Sequence, residues 1–275
     1  MLDVHDDRIV DVSYSPDGAW LASASFDGRI RLWSTQALRV DRYYELDAGE
    51  RLFDLDFDPR GLRIVGASRN ATAPVWRLPS EPPSRAAQPL AVEQVLRAPD
   101  LVWTARFSPQ GDRVVAGTRA GAAVVWTLST GPAAHELEPS ASVPIVPRNV
   151  WHAEFSPQGD RVALASSDGR VMLWTPSSEQ LVELGRFAQG DAWVANFSPD
   201  GRFVASSGLN GEVRIDAVDA SGPSMLLRGH TGSVQRLAWS PDGRHLASAS
   251  QDHSVRLWPL DASGELAWPP RTLEF

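Results

Sequence analysis

The 275-residue chain contains no cysteine and no lysine. Without cysteine there is no disulfide, no thiolate-bound zinc or iron–sulfur cluster, and no thiol nucleophile. All 26 basic residues are therefore arginine, set against 34 Asp and Glu, for a formal net charge of -8. A field of that sign repels nucleic acid and anionic membrane surfaces, so neither is expected as a partner. An arginine-only, alanine-rich chain is what a GC-rich gene encodes and points to a bacterial source. Long apolar runs are missing too: nothing approaches the roughly 18 residues of a membrane span. The N-terminal MLDVHDDRIV is acidic where an export signal is basic, and a cytoplasmic setting is the expectation. The six histidines (His5, His135, His152, His230, His245 and His253) form no paired ligand motif, and no Gly-rich phosphate loop is present. Neither metal nor cofactor is expected.

Proline and glycine are plentiful, 21 of each, and they recur in phase. A tetrapeptide turn appears six times, as SPDG at 15, DPRG at 58, SPQG at 108 and 156, and SPDG at 198 and 240. Proline presets φ early in such a turn and glycine accepts a positive φ at its end. An aromatic residue precedes each turn (Tyr14, Phe57, Phe107, Phe155, Phe197, Trp239), with an apolar residue two positions earlier. That alternation predicts a strand with one buried side. Runs such as WLASAS and RVALAS follow, then a second turn, often Asp-Gly or Asn-Gly, then a third strand such as RIRLW or SVRLW. Eighteen residues after each turn begins stands Trp33, Trp76, Trp126, Trp174 or Trp258, with Asp216 in the fifth copy. All length variation falls outside these blocks, in segments that hold a fourth strand: Arg39–Leu46, Glu179–Phe187 and Ser224–Arg228 are examples. The long Pro-rich stretches Pro79–Pro89 and Gly131–Pro147 read as surface loops, since the repeat resumes after each.

Four short antiparallel strands per copy, repeated six times, are the mark of a β-propeller. The chain resembles the WD-repeat family over its whole length, most fully in the sixth copy, GHTGSVQRLAWSPDGRHLASASQDHSVRLW. The resemblance implies an all-β, six-bladed propeller forming a single domain over residues 1–275, with blades at about 5–48, 49–97, 98–146, 147–188, 189–228 and 229–275. How such a ring closes is left open. It could close on itself, be an open fragment of a larger propeller, or pair an uncovered edge with another copy.

The resemblance also implies a hydrogen-bonded set in each well-kept blade. It comprises His230, Ser248, Asp252 and Trp258 in the sixth, and His5, Ser23, Asp27 and Trp33 in the first, where Val4 replaces the usual glycine. The other copies have lost members: Gly66 and Asn70, Ala116 and Ala120, Leu164, and Asp216 stand at set positions. Because these sets recur with the repeat, they read as structural and not catalytic. The position five before each turn faces the mouth of the channel in the family, and here holds Val10, Phe53, Trp103, Trp151, Trp193 and Gln235. Those aromatics either plug the channel and pack between blades or line a binding mouth.

Neighbouring positions at the same face add Phe26, Arg8, Arg51, Arg69 and Arg119. The expected function is a non-enzymatic scaffold that binds a protein or peptide partner on this face. Phe53, Trp103, Trp151 and Trp193 would be the anchors, with Arg51, Arg69 and Arg119 selecting a partner with acidic segments. The arginines could equally be solvated side chains whose stems cover apolar surface. The alternative reading is a structural or regulatory propeller segment of a larger, bacterial multidomain protein. A small-molecule or hydrolytic propeller ranks below both, because the mouth positions are aromatic and not acidic.

Overall fold

The computed structural model describes residues 5–36, 39, 41–129, 135–145, 148–219, 224–261, 266–267 and 269–274. Val4, Glu265, Phe275 and parts of the Gly131–Pro147 stretch lie outside them. The fold is all-β, built from six four-stranded antiparallel sheets, and no helix occurs among the described residues. The chain divides into two compact units, Met1–Val143 and Pro144–Phe275, each containing three of the repeat copies.

Each sheet follows the repeat. In the second copy the strands are Leu52–Phe57, Arg63–Ser68, Thr72–Arg77 and Val92–Arg97. The sixth uses Val234–Trp239, His245–Ser250, Ser254–Pro259 and Arg271–Glu274. The tetrapeptide closes the first hairpin, with its glycine amide bonded back to the first turn residue, as Gly18 to the Ser15 carbonyl at 2.8 Å. The glycine has a φ of 69° there, where an L side chain is strained. The turn serine then accepts the amide five residues on, Trp20 to Ser15 Oγ at 2.9 Å, so no polar group is left over at the corner. The second strands sit between two layers of side chains, and Ala22, Ala24, Ala116, Ala163 and Ala205 have no exposure.

The two long Pro-rich stretches do more than loop over the surface. Gln88–Pro89 pairs in parallel with Tyr44–Asp47, adding a fifth strand to the first sheet. His135–Leu137 does the same for the second sheet on Val92–Arg97. An outer strand with unpaired amides is satisfied by any extended backbone laid beside it, and these two segments are long enough to reach.

The first strand of a sheet has the same need on its other side, and in the second, third and fifth sheets side chains of a neighbouring blade meet it. In the first unit, Asp11 accepts the Leu55 amide at 3.2 Å. Asp54 accepts the Ala105 amide at 3.3 Å and Asp56 the Phe107 amide at 2.8 Å. Arg106 donates to the Leu55 carbonyl at 2.7 Å and reaches Asp54 at 2.8 Å. In the second unit His152 lies 3.1 Å from the Ala195 carbonyl, and Trp239 donates to that of Asn196 at 3.3 Å. Three carboxylates thus share one guanidinium in the first unit. Burial, reinforced by Asp11 and opposed by Arg106, pushes the Asp54 carboxyl up to about 7. Burial likewise lifts Asp56 to about 6 against the pull of Arg106.

The hydrogen-bonded sets differ between blades. In the sixth, Trp258 Nε1 donates to Ser248 Oγ at 2.8 Å, Ser248 meets His230 Nε2 at 2.8 Å, and His230 Nδ1 meets Asp252 at 2.8 Å. Burial of Asp252 would raise its carboxyl, but bonds from Ser254, His230 and the Thr231 amide outweigh it and hold it far below the usual carboxylate range. In the first blade, His5 meets Ser23 at 2.7 Å and Asp27 at 2.8 Å. Trp33 is not joined to them, for its buried Nε1 has no partner, and Arg31 enters instead, 2.6 Å from His5 Nδ1 and 3.0 Å from Asp27. Trp76 and Trp174, in blades where Gly66 and Leu164 stand at the serine position, also leave their indole N–H unbonded. In the fifth blade Asp216 is buried where the tryptophan stands elsewhere, and Arg214 of the same strand pairs with it at 2.9 Å.

Two outcomes follow from these contacts. Ser248→Ala removes the acceptor of Trp258 and the partner of His230 together and should cost about 1–3 kcal/mol in urea unfolding. Ser206→Ala, at the same repeat position but with a buried hydroxyl that has no partner, should be neutral or stabilising; equal costs would show that the bonded set contributes nothing. The second outcome concerns pH. Asp54 keeps its proton in the fold up to about 7, while the unfolded chain releases it near 3.9. Its stabilising share is therefore full below about 4 and is lost as pH rises through about 7. Asp54→Asn has no proton to lose, so its urea midpoint relative to wild type should rise between about pH 5 and pH 8. A relative midpoint that stays constant or falls over that range would show that Arg106 keeps Asp54 ionised throughout.

Candidate functional site

In all six sheets the pairing of the first and second strands slips at one residue. Leu52 pairs with Ser68 and Asp54 with Ala67, leaving Phe53 without a partner across the ladder. The same slip isolates Trp103, Trp151 and Trp193, along with Val10 and Gln235. A bulge bends the strand and re-aims the extra side chain. Here it lifts the residue five before each turn out of the alternation that buries its neighbours, and leaves Phe53, Trp103, Trp151 and Trp193 half-buried.

In the first unit the lifted rings touch. Phe26, from the hairpin of blade one, meets Phe53 edge to face at 5.7 Å, and Phe53 meets Trp103 in the same manner at 4.8 Å. Such pairs contribute about 0.5–1.5 kcal/mol beyond their buried area, so the row is held in place while part of it stays open to solvent. Two guanidinium groups lie over Phe26, with Arg8 and Arg51 each placing Cζ 5.4 Å from the ring centroid. Arg69 is exposed beside Arg51, its amide bonded to the Arg51 carbonyl at 2.9 Å. Arg119 is engaged differently. It grips Asp100 with both arms of its fork, at 3.1 and 2.9 Å, and holds that carboxyl below its ordinary range.

In the second unit Trp151 and Trp193 are stacked at 4.7 Å with their planes 33° apart. Trp151 donates to Asp191 at 2.8 Å, which fixes the indole. Trp193 packs on the cluster around Val194 and Val234, and its buried Nε1 has no partner.

The structure therefore brings Phe53, Trp103, Arg51 and Arg69 to one end of the first unit's blades, and Trp151 to Trp193 in the second unit. It adds Arg8, Phe26 and Asp191, which the repeat alone does not single out as a group. The signal for all three was present in the spacing, since Arg8 and Asp191 stand seven residues before a first turn and Phe26 one before a second-turn Asp. Chemically, these surfaces offer flat apolar rings beside fixed cations, a combination suited to binding. Among the described residues no group of three or more His, Asp or Glu could hold a metal ion.

The comparisons agree with this architecture. The family described as WD domain, G-beta repeat matches residues 1–34, 145–175, 189–215 and 222–259, within the first, fourth, fifth and sixth copies. Protein Atg16l2 from Homo sapiens and its counterpart from Mus musculus are each 30% identical over 79 residues, which is 28% of this chain. The match spans 13% of the length of those relatives. With six repeat sheets in phase with these matches, the chain belongs to the WD40-repeat family.

Proposed function

We propose that the chain is a non-catalytic scaffold that binds an extended segment of a protein partner across the half-buried aromatic row Phe26, Phe53 and Trp103, with Trp151 and Trp193 offering a second platform. WD40 repeats build protein-interaction scaffolds and are generally not catalytic. The observation that carries the reading is the bulge repeated in every blade, which in four of the six gives up a ladder position to leave a large ring half-buried. Rings already packed edge to face lose little freedom on binding, so the ordering cost of docking a partner on them is reduced. Acidic residues in the partner would meet Arg51 and Arg69, which have no carboxylate partner among the described residues, whereas Arg119 would first have to leave Asp100.

The test is selection of peptides from a random display library on the intact protein, followed by titration. Phe53→Ala combined with Trp103→Ala should weaken the selected peptides by about 30-fold or more, the loss of a hot-spot pair. The urea midpoint of the variant would confirm folding. Peptides that bind the folded double variant as tightly as they bind the wild-type protein would remove the proposal.

A further inference from the structure

Where the first turns of two adjacent blades meet, the chain leaves a cleft. Between blades one and two it is lined by Trp20, Leu62 and Leu78, and the PSEPP segment of blade two runs along it, with Pro79 and Pro82 on its wall and Pro83 buried. Tyr44 donates to the Glu81 carbonyl at 3.1 Å and meets Trp20 edge to face at 6.0 Å. Trp20, Tyr44 and Phe57 are all buried, and about 300 Å³ of the cleft is left. The chain thus contains its own example of what such a cleft accepts, a short proline-containing segment laid beside aromatic rings. The cleft between blades five and six measures about 620 Å³ and is lined by Pro199, Phe203, Trp239, Pro241, Asp242 and Leu260, among others. Phe203 and Trp239 stand at the repeat positions of Trp20 and Phe57, yet both are only half-buried. Their rings are held: Trp239 Nε1 donates to the Asn196 carbonyl at 3.3 Å, and Arg202, with its Nε on Asp200 at 2.7 Å, places Cζ 5.4 Å from the Phe203 centroid. Blade six reads DASGE where blade two reads PSEPP, so its own sequence supplies no proline at those positions.

We propose that this second cleft takes a proline-containing extended segment of a protein partner, with an arginine or lysine beside the prolines. Proline has no amide N–H to leave unpaired against an aromatic wall, and a segment already in the polyproline II conformation loses little freedom on docking. The charge follows from the rim. The carboxylates of Asp200, Asp242 and Asp261 line the cleft against the guanidinium groups of Arg202 and Arg244, and Arg202 is already held by Asp200. Asp242 accepts the Ser240 hydroxyl at 2.6 Å and the Arg244 amide at 3.0 Å, both at Oδ1, so Oδ2 remains for a cation. The first turns lie at the other end of the first strands from the bulged rings, as Phe197 does from Trp193 in Ala192–Phe197. This surface therefore stands independently of the aromatic row proposed above.

The experiment uses the intact protein and three degenerate peptide libraries with the fixed cores Pro-Pro-Xaa-Arg, Ala-Ala-Xaa-Arg and Pro-Pro-Xaa-Glu. The first should bind at least about tenfold more tightly than the second and about threefold more tightly than the third, the scale of an exposed ion pair. The indole N–H signal of Trp239 should shift in NMR spectra as the first library binds. Phe203→Ala should erase the preference for proline. Asp242→Asn, which keeps the acceptor oxygen of the turn, should erase the preference for arginine over glutamate and leave that for proline. The Phe53→Ala, Trp103→Ala variant should bind the first library as the wild-type protein does. Equal binding of the proline and alanine libraries, binding that leaves the Trp239 signal unmoved, or no binding at all would overturn the inference. So would a proline preference that persists in folded Phe203→Ala and disappears in the Phe53→Ala, Trp103→Ala variant, because it would belong to the aromatic row. A dimer in sedimentation runs that Phe203→Ala dissociates would give the cleft to a second copy of this chain, and would overturn it as well.

Discussion

A four-stranded sheet has a first strand with a row of amides and carbonyls that its own ladder never reaches, and in this protein side chains of adjacent blades satisfy part of that row. In the first unit the solution is electrostatic. Asp11, Asp54 and Asp56 accept amides of the next blade's first strand, and Arg106 closes a carbonyl of the preceding one. In the second unit His152 and Trp239 reach carbonyls instead. Side chains can cap a strand only where the blades stand close, so the same contacts that protect the edge also set one blade against the next. They carry a cost, since Asp54 and Asp56 are held away from water and their carboxyls are pushed up to about 7 and about 6.

That first strand is also where the candidate site is made. One residue per blade is dropped from the ladder by a bulge, and it is a large aromatic in four of the six blades. A residue in register would be buried against the neighbouring sheet or point to solvent alone. A bulged one can meet the rings of adjacent blades while staying partly open, as Phe53 does with Phe26 and Trp103. Scaffold and surface are therefore one device: the irregularity tolerated in the sheet supplies the exposed ring.

The blades also show how little of the hydrogen-bonded set a sheet needs. Among the described residues, only the sixth blade joins histidine, serine, aspartate and tryptophan in one chain of bonds. Trp33, Trp76 and Trp174 bury their rings with the indole N–H unbonded, and Asp216 replaces the ring altogether. Burial of an indole removes on the order of 150–250 Å² from water, whereas a net hydrogen bond contributes about 1 kcal/mol. Packing outweighs the missing bond in the three blades that keep the ring.

The six copies, their strands and turns, and the residue that stands at each bulge were legible in the chain, because each is set within a block of about twenty residues whose spacing never changes. Turn chemistry and alternation act at that range, so the residues suffice. The tertiary structure decided the rest: that Arg119 is bound to Asp100 while Arg8 and Arg51 share Phe26, that Trp33 finds no partner, and that two Pro-rich segments become strands on the preceding sheet. Each of these depends on a residue forty or more positions away or on a side chain choosing among several neighbours of opposite charge. A repeat fixes where a position stands but not which neighbour its side chain will find, since neighbouring copies share a backbone and differ in the side chains they present.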